Sequence, residues 1–406
     1  MSRRAVITGI GVVAPNGIGA DVFWKATREG ISVLDRISRY DCGPYPLKVA
    51  GEVRAFDPAT LIERRYLVQT DAFTHFALAA ADLALADAAL DLPADSPFSV
   101  GVATASFSGG NEFGQREIEQ LWRQGPKYVG PYQSIAWFYA ASTGQISIRK
   151  GLKGPCSVLV TDEAGGLDAI AHAGRAIRRG TAALVVGATE APVTPYAMTC
   201  QYGHGLFSDA DDPAAAYLPF TTAARGFVPA EGGALFVLEE EERALRRGAR
   251  VRAVVAGHAA TFTATGGFAA SREGLAAAIR GALDEAGCAP EEVDVVFADA
   301  LAVPDADRAE VLALHDVLGS RAAEVPVTAP KAGVGRAYAG AGALDVAAAA
   351  LCLEHSLVPP TPNVSEPGYD IDLVTGRARV VEARTALVLA RGLAGFNSAL
   401  VLRRRP

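Results

Sequence analysis

The sequence predicts an α/β fold of buried sheets and close-packed helices in two related halves, and three features carry that expectation. Short segments of continuous apolar character recur next to glycine, as strands buried on both faces do. They alternate with Ala-rich stretches of helical length. A motif of the first half, Gly165-Gly166-Leu167-Asp168-Ala169-Ile170-Ala171, is echoed by Gly342-Ala343-Leu344-Asp345-Val346-Ala347-Ala348 in the second.

Taken in order, Ala5 to Thr8 reads as a short strand ended by Gly9-Ile10-Gly11, and Phe73 to Ala89 as an Ala-rich helix. Further strands are expected at Val100–Ala103, Ala183–Gly187 and Leu235–Leu238. The charged run Glu239 to Arg250 reads as a solvated helix or linker, which places an N-terminal half at 1–250 and a C-terminal half at 251–406. Each copy of the echoed motif opens an Ala-rich helix, and small residues on both would let the two helices pack closely against each other.

Composition narrows the function. Among 406 residues, 50% are apolar and 20% charged, which suits a folded globular protein and excludes a disordered one. The net charge of −7, with Lys and Arg scattered, leaves no basic stripe for nucleic acid. No segment approaches the roughly 20 apolar residues of a membrane span, and the basic start at Arg3-Arg4 leads into folded-looking sequence rather than a cleavage site. A cytoplasmic location is expected. Cys42, Cys156, Cys200, Cys288 and Cys352 form no C-x-x-C pair, so they read as free, buried thiols, and neither a metal nor a cofactor is expected.

The segment from Val160 to Asp168 reads as a strand entering a helix, with Glu163 at the elbow. A group placed there meets the backbone N–H groups and dipole of a helix N-terminus, which lower a thiol pKa or favour an anion. Glu163 could use that field to stay ionised, but a carboxylate is a poor acyl acceptor beside a thiolate. An ordinary glutamate on a first helical turn is the alternative from these residues alone.

Seven segments together resemble the β-ketoacyl synthases of the thiolase fold, specifically their non-condensing member, the chain length factor of bacterial type II polyketide synthases. They are VITGIGVVAPNGIG from Val6, YQSIAWFYAASTGQISI from Tyr132, TDEAGGLDA from Thr161, LPFTTAARGFVPAEGGA from Leu218, FADALAVPDADRAE from Phe297, PKAGVGRAYAGAGALD from Pro330 and RGLAGFNSALVL from Arg391. The resemblance spans essentially the whole chain and implies a duplicated five-layer α-β-α-β-α architecture.

Active members of that family use an elbow cysteine, two histidines and a lysine. The resemblance places Glu163 at the cysteine, Asp299 at the first histidine and Arg336 at the second, leaving Lys331 in place. His75, His172, His204, His258, His315 and His355 all miss these positions and read as surface or core residues. Two carboxylates and two cations would then share one pocket, and buried charges persist only when paired. The expectation is a closed ionic network in which Arg336 pairs with Glu163, and Lys331 with Asp299 or with both carboxylates. A competing reading makes the chain an active malonyl-thioester decarboxylase or acyltransferase using Glu163, Asp299 and Lys331. Chain length factors commonly carry glutamine at the elbow, and an amide can donate to an enolate where an ionised carboxylate cannot.

The resemblance further implies a heterodimer with a ketosynthase subunit and transient contact with an acyl carrier protein; acyltransferase chemistry is expected only within that complex. The segment expected to form the floor of the growing chain's tunnel runs from Gly109 to Ile118. Asn111, Gly114 and Ile118 fall at i, i+3 and i+7, on one helical face, and form a candidate chain-length gate. Their small combined bulk implies a product longer than an octaketide, a decaketide or beyond. Phe113 points away from that face and is grouped with Trp137, Phe138 and Tyr139 as dimer surface or core. Leu393 and Ala394, in Gly392-Leu393-Ala394-Gly395, replace the Gly-Phe-Gly loop that gates the pocket of active relatives.

Overall fold

The structure, a computed structural model, describes residues 3–92, 96–264 and 271–405. Its first half contributes strands β1 (Ala5–Ala14), β2 (Val100–Ala105), β3 (Cys156–Leu159), β4 (Ala183–Glu190) and β5 (Gly232–Glu240). Its second half contributes β6 (Ala253–Phe262), β7 (Val295–Phe297), β8 (Pro326–Thr328), β9 (Thr385–Arg391) and β10 (Phe396–Arg403). The spatial order is β1-β5-β4-β2-β3 in one half and β6-β10-β9-β7-β8 in the other. Numbered within each half, both read first-fifth-fourth-second-third. The directions agree as well, two antiparallel pairings followed by two parallel ones. Pairing of Ala5–Ile7 with Ala253–Val255 joins the halves edge to edge.

Helices complete five layers. The principal ones are α1 (Ala72–Asp87), α2 (Asn111–Gln124), α3 (Ala141–Lys150), α4 (Gly165–Arg178), α5 (Arg272–Ala286), α6 (Pro304–Leu318) and α7 (Ala339–His355). α1 covers the outer face of β1, β5 and β4, while α5 covers β6 and β10 with α6 beside it. α4 and α7 pack together between the two sheet halves. That central pair is the echoed motif: a side chain at Gly166 would collide with the Ala339 carbonyl of α7, so glycine is required for the approach. Each motif also carries an aspartate that anchors its helix. Asp168 accepts from Ser398 Oγ at 2.8 Å and lies 3.0 Å from His258 Nε2, and Asp345 pairs with Lys331.

Three sequence expectations need correction. β1 does not stop at Thr8 but continues to Ala14, because Gly9 and Gly11 face the Ala84 and Ala80 carbonyls of α1 and serve close packing rather than ending the strand. The charged run at 239–250 is not wholly solvated. Glu239, next to last in strand β5, is fully buried, accepts the Thr8 hydroxyl at 2.5 Å, and is neutralised by Arg243 and by Arg247 Nε at 2.9 Å. Of the five free thiols, Cys42, Cys288 and Cys352 are buried but Cys156 and Cys200 are exposed; Cys156 lies on β3, the sheet's edge strand. No helix among the described residues is long and apolar enough to cross a membrane.

Candidate functional site

The site lies where loops leave the strands of both halves. After β3 the chain turns through Asp162, with φ 57°, and enters α4 at Gly165. This turn buries Glu163. After β7, Ala300 and Ala302 take φ 52° and 58°, a tight path held from α6. Glu310 Oε1 accepts the Asp299 N–H at 2.7 Å and Oε2 the Ala300 N–H at 3.0 Å, while Asp307 Oδ1 takes the Ala302 N–H at 2.9 Å. Asp307 and Glu310, three residues apart on one helical face, thereby fix the Asp299 loop. Lys331 follows β8 in the turn Pro330–Gly333, and the Arg336 backbone pairs with Val228 and Ala230 at 2.8 and 3.0 Å.

The four positions expected to meet do meet. Arg336 Nε binds the Glu163 carboxylate, Nη2 lies 2.8 Å from Asp299 Oδ1, and Nη1 and Nη2 donate to the Asp299 and Arg391 carbonyls at 3.1 and 2.7 Å. Lys331 departs from expectation. Its ammonium pairs with Asp345 at 2.5 Å and reaches Asp299 only through the backbone carbonyl, at 3.1 Å. The Asp299 carboxylate is occupied instead by Arg391, whose Nε lies 2.9 Å from Oδ2 and whose Nη2 reaches Glu310 at 2.9 Å. Leaving a buried carboxylate unpaired costs several kcal/mol, about 3–5, so the network extends until each acid has a donor.

That extension changes the charge balance. Glu163, Asp299, Glu310 and Asp345 face Lys331, Arg336 and Arg391, so the acids exceed the cations by one, where two against two was expected. Burial raises the Glu163 pKa to about 7 against the pull of Arg336, and raises Asp345 to about 6 against Lys331. The helix N-terminus therefore does not suffice to keep Glu163 fully ionised, as the sequence had suggested. Burial also acts on Asp299, but there Arg336 and Arg391 prevail and hold the carboxyl well below its ordinary range. Exposure is 1% at Glu163, 0% at Asp299, 3% at Lys331 and 2% at Arg336, so the set is sealed from solvent.

Arg391, Glu310 and Asp345 lay inside the quoted motifs without an assigned role. Arg391 and Asp345 carried one legible signal, a charge within an otherwise apolar strand or Ala-rich helix that has to be paired on folding, whereas Glu310 sits among other charges of its helix and carried none. Leu393 and Ala394 form the turn between β9 and β10. Ala394 N–H donates to Asp162 Oδ2 at 2.8 Å, fastening that turn onto the elbow, and Leu393 packs half-buried near Tyr338 and Phe227. Asn111, Gly114 and Ile118 lie on α2, apart from the ionic set. Gly114 is buried, Asn111 half-buried and Ile118 39% exposed. Phe113 is buried, whereas Trp137 and Phe138 are exposed, so the aromatic group divides between core and surface.

The chain matches the N-terminal domain of the beta-ketoacyl synthases over residues 2–244 and their C-terminal domain over 252–365. It is 65% identical to a polyketide beta-ketoacyl synthase 2 of Streptomyces cyaneus, over 100% of this chain and 97% of that protein. It is 52% identical to the tetracenomycin polyketide synthase ketoacyl synthase beta subunit of Streptomyces glaucescens, over 98% of each. Identity falls to 36% with the actinorhodin beta-ketoacyl synthase 1 of Streptomyces coelicolor, over 99% of this chain and 89% of that one. The chain belongs to the β-ketoacyl synthase family, in its chain length factor branch. Among solved structures, the ishigamide ketosynthase/chain length factor superposes with a TM-score of 0.93 at 28% identity, covering 100% of both chains. A type II acyl carrier protein complex with its ketosynthase bound to a hexaketide superposes with a TM-score of 0.89 at 29% identity, again over 100% of both. The thiolase-like fold of the chain length factors thus carries, in this member, a site closed by ion pairs.

Proposed function

We propose that this chain is the non-condensing partner of an active ketosynthase subunit, and that it shapes the tunnel in which a polyketide grows while tethered to an acyl carrier protein. One observation carries the non-condensing part: the positions of a condensing set hold a solvent-sealed ionic network. No thiol is at the elbow, and a thioester would have to displace Arg336 from two carboxylates to reach Glu163. A cytoplasmic setting accompanies a substrate delivered on a carrier protein; neither membrane nor nucleic acid enters this role.

Two further features support pairing with a partner. β3 ends the sheet with one side open, a row of backbone groups suited to another strand. Apolar side chains are also exposed at Val160, just after this strand, at Leu121 and Trp122 on α2, and at Trp137 and Phe138. Isolated subunits rarely keep such surface bare.

The gate is proposed on α2. A Cβ at Gly114 would meet Gln133 Nε2 at 3.7 Å, an ordinary contact, so close helix packing does not require the glycine. With Asn111 and Ile118 on the same face, small residues there suit room for a long chain, and we propose a decaketide or longer product. The deciding experiment compares the purified chain, alone and with its ketosynthase subunit, on malonyl-loaded carrier protein. Polyketide should form only with both subunits, which should elute as a heterodimer; malonyl turnover by the chain alone would refute the non-condensing role.

A second reading, decarboxylation at Glu163 to prime synthesis, has one observation in its favour. Burial holds this carboxyl near neutrality, and its Oε1 has no hydrogen-bond partner among the described residues, so a protonated Glu163 could donate. The seal around it weighs against that reading.

A further inference from the structure

The gate helix begins where two buried carboxylates converge. Glu190, the last residue of β4 and fully buried, accepts the Phe107 N–H, the Ser108 N–H at 3.3 Å, the Ser108 hydroxyl at 2.8 Å and the Ser106 hydroxyl at 3.3 Å. Ser106 Oγ in turn accepts the Gly109 N–H at 3.2 Å, and the Ser108 carbonyl accepts Asn111 Nδ2 at 3.1 Å. Asp71, which caps α1, accepts the Phe113 N–H at 2.7 Å. Every residue from Ser106 to Gly109, and both Asn111 and Phe113, is thus tied directly or through one neighbour to an acid rooted in the core. Further along α2 the ties are more exposed: Gln115 Oε1 toward the Tyr196 N–H at 2.9 Å, and Glu117 toward the Gly130 N–H.

We infer that Glu190 is the positioning residue that sets the stop point of the tunnel floor, holding the Ser106–Gly109 loop so that Asn111, Gly114 and Ile118 present their face at one fixed depth. The inference rests on the gate proposed for α2. Ile118 lies seven residues beyond Asn111, about 10 Å along a helix rising 1.5 Å per residue, so a tilt of about 10° at the loop moves it by about 2 Å. That displacement is comparable with what one two-carbon extension adds to a chain. Burial raises the Glu190 pKa to about 7, and above that pH the ionised carboxylate suits this post because both oxygens accept and neither donates. Glutamine offers one accepting oxygen and turns an NH2 toward backbone N–H groups, so the loop has to shift.

The test uses the assembled pair with its carrier protein and reads product length by mass spectrometry, together with total turnover. Glu190→Gln should raise the ratio of off-length to parental-length product by about tenfold, the scale of one lost hydrogen bond to a charged group, and Ser108→Ala by less. A purely structural role would lower all products in proportion and leave the ratio alone; that result overturns the inference. If Glu190→Gln does not fold, Ser108→Ala decides, since it removes one donor and leaves the acid in place. Gly114→Phe with Ile118→Phe serves as the control. A length shift in that control with an unchanged ratio in the folded loop variants rejects the role of Glu190 alone, whereas no shift in any of them rejects the gate itself.

Discussion

Arg336 Nη2 lies 2.8 Å from Asp299 Oδ1 while Arg336 Nε holds Glu163, so one guanidinium from the second half joins carboxylates that follow β3 and β7. The family resemblance assigns the reacting groups of condensing relatives to these positions. Here the planar fork of Arg336 uses its fixed donors on two acids and two backbone carbonyls, an arrangement that lysine, a point donor, could not reproduce.

Arg336→Ala should therefore destabilise the chain by about 3–5 kcal/mol, the cost of stranding buried carboxylates after losing their cation. Urea unfolding followed by fluorescence measures this. Arg336→Lys should recover only part of the loss, and wild-type stability in Arg336→Ala would show that the network is solvated.

Stability should be greatest near pH 5 and decline toward pH 7.5. Burial lifts Glu163, Glu190 and Glu231 to about 7, whereas unfolded glutamate titrates near about 4.3. Between those values the folded chain holds protons that the unfolded chain has released, so their contribution is complete below the unfolded pKa and is lost as pH rises through the folded one. Asp299 acts in the opposite sense: its contribution is lost in acid, as pH falls toward its lowered pKa. Thermal melts from pH 4 to 8 measure the profile. Glu163→Gln should flatten the neutral limb by on the order of 1–3 kcal/mol and leave priming by the complex unchanged; faster priming in that variant would favour the decarboxylating reading.

The duplicated layers were legible because buried strands and Ala-rich helices leave strong patterns, and the echo at Gly165 and Gly342 marked the two helices that pack together at the centre. Arg336 with Glu163 was legible because position within the motifs and opposite charge agreed. The partner of Lys331 was not. Asp299 and Asp345 both lay in the quoted segments, and choosing between them required the path of the turn Pro330–Gly333 relative to α7, a tertiary fact. Gly9 and Gly11 were misread for a related reason, since a glycine that ends a strand and one that admits a helix look alike in one dimension.

The Lys331–Asp345 pair gives a test of what buried charge contributes. Lys331→Met should cost about 3 kcal/mol at pH 8, where Asp345 is left charged, and less at pH 5, where that carboxyl takes a proton. Adding Asp345→Leu should return most of the loss, because apolar residues of similar volume often replace a buried ion pair without penalty. A double variant no more stable than the single one in chemical denaturation would indicate that Lys331 acts mainly through the Asp299 carbonyl, 3.1 Å away.

Gly114→Phe with Ile118→Phe should shorten the product by at least one two-carbon unit while barely changing the stability of the isolated chain. Although Gly114 is itself buried, a Cβ there meets Gln133 Nε2 at 3.7 Å and nothing closer, and Ile118 is 39% exposed, so the first carbon of neither new ring is driven into the core. Replacing a mid-helix glycine also restricts the unfolded chain, an effect of roughly 0.5–1 kcal/mol that offsets small packing losses. Because that face lies apart from the Arg336 network, the rings should act by shape alone and leave the rate of early condensations intact. Mass spectrometry of products from the pair reads the length, and a parental length in a folded, active double variant would remove these positions from the gate.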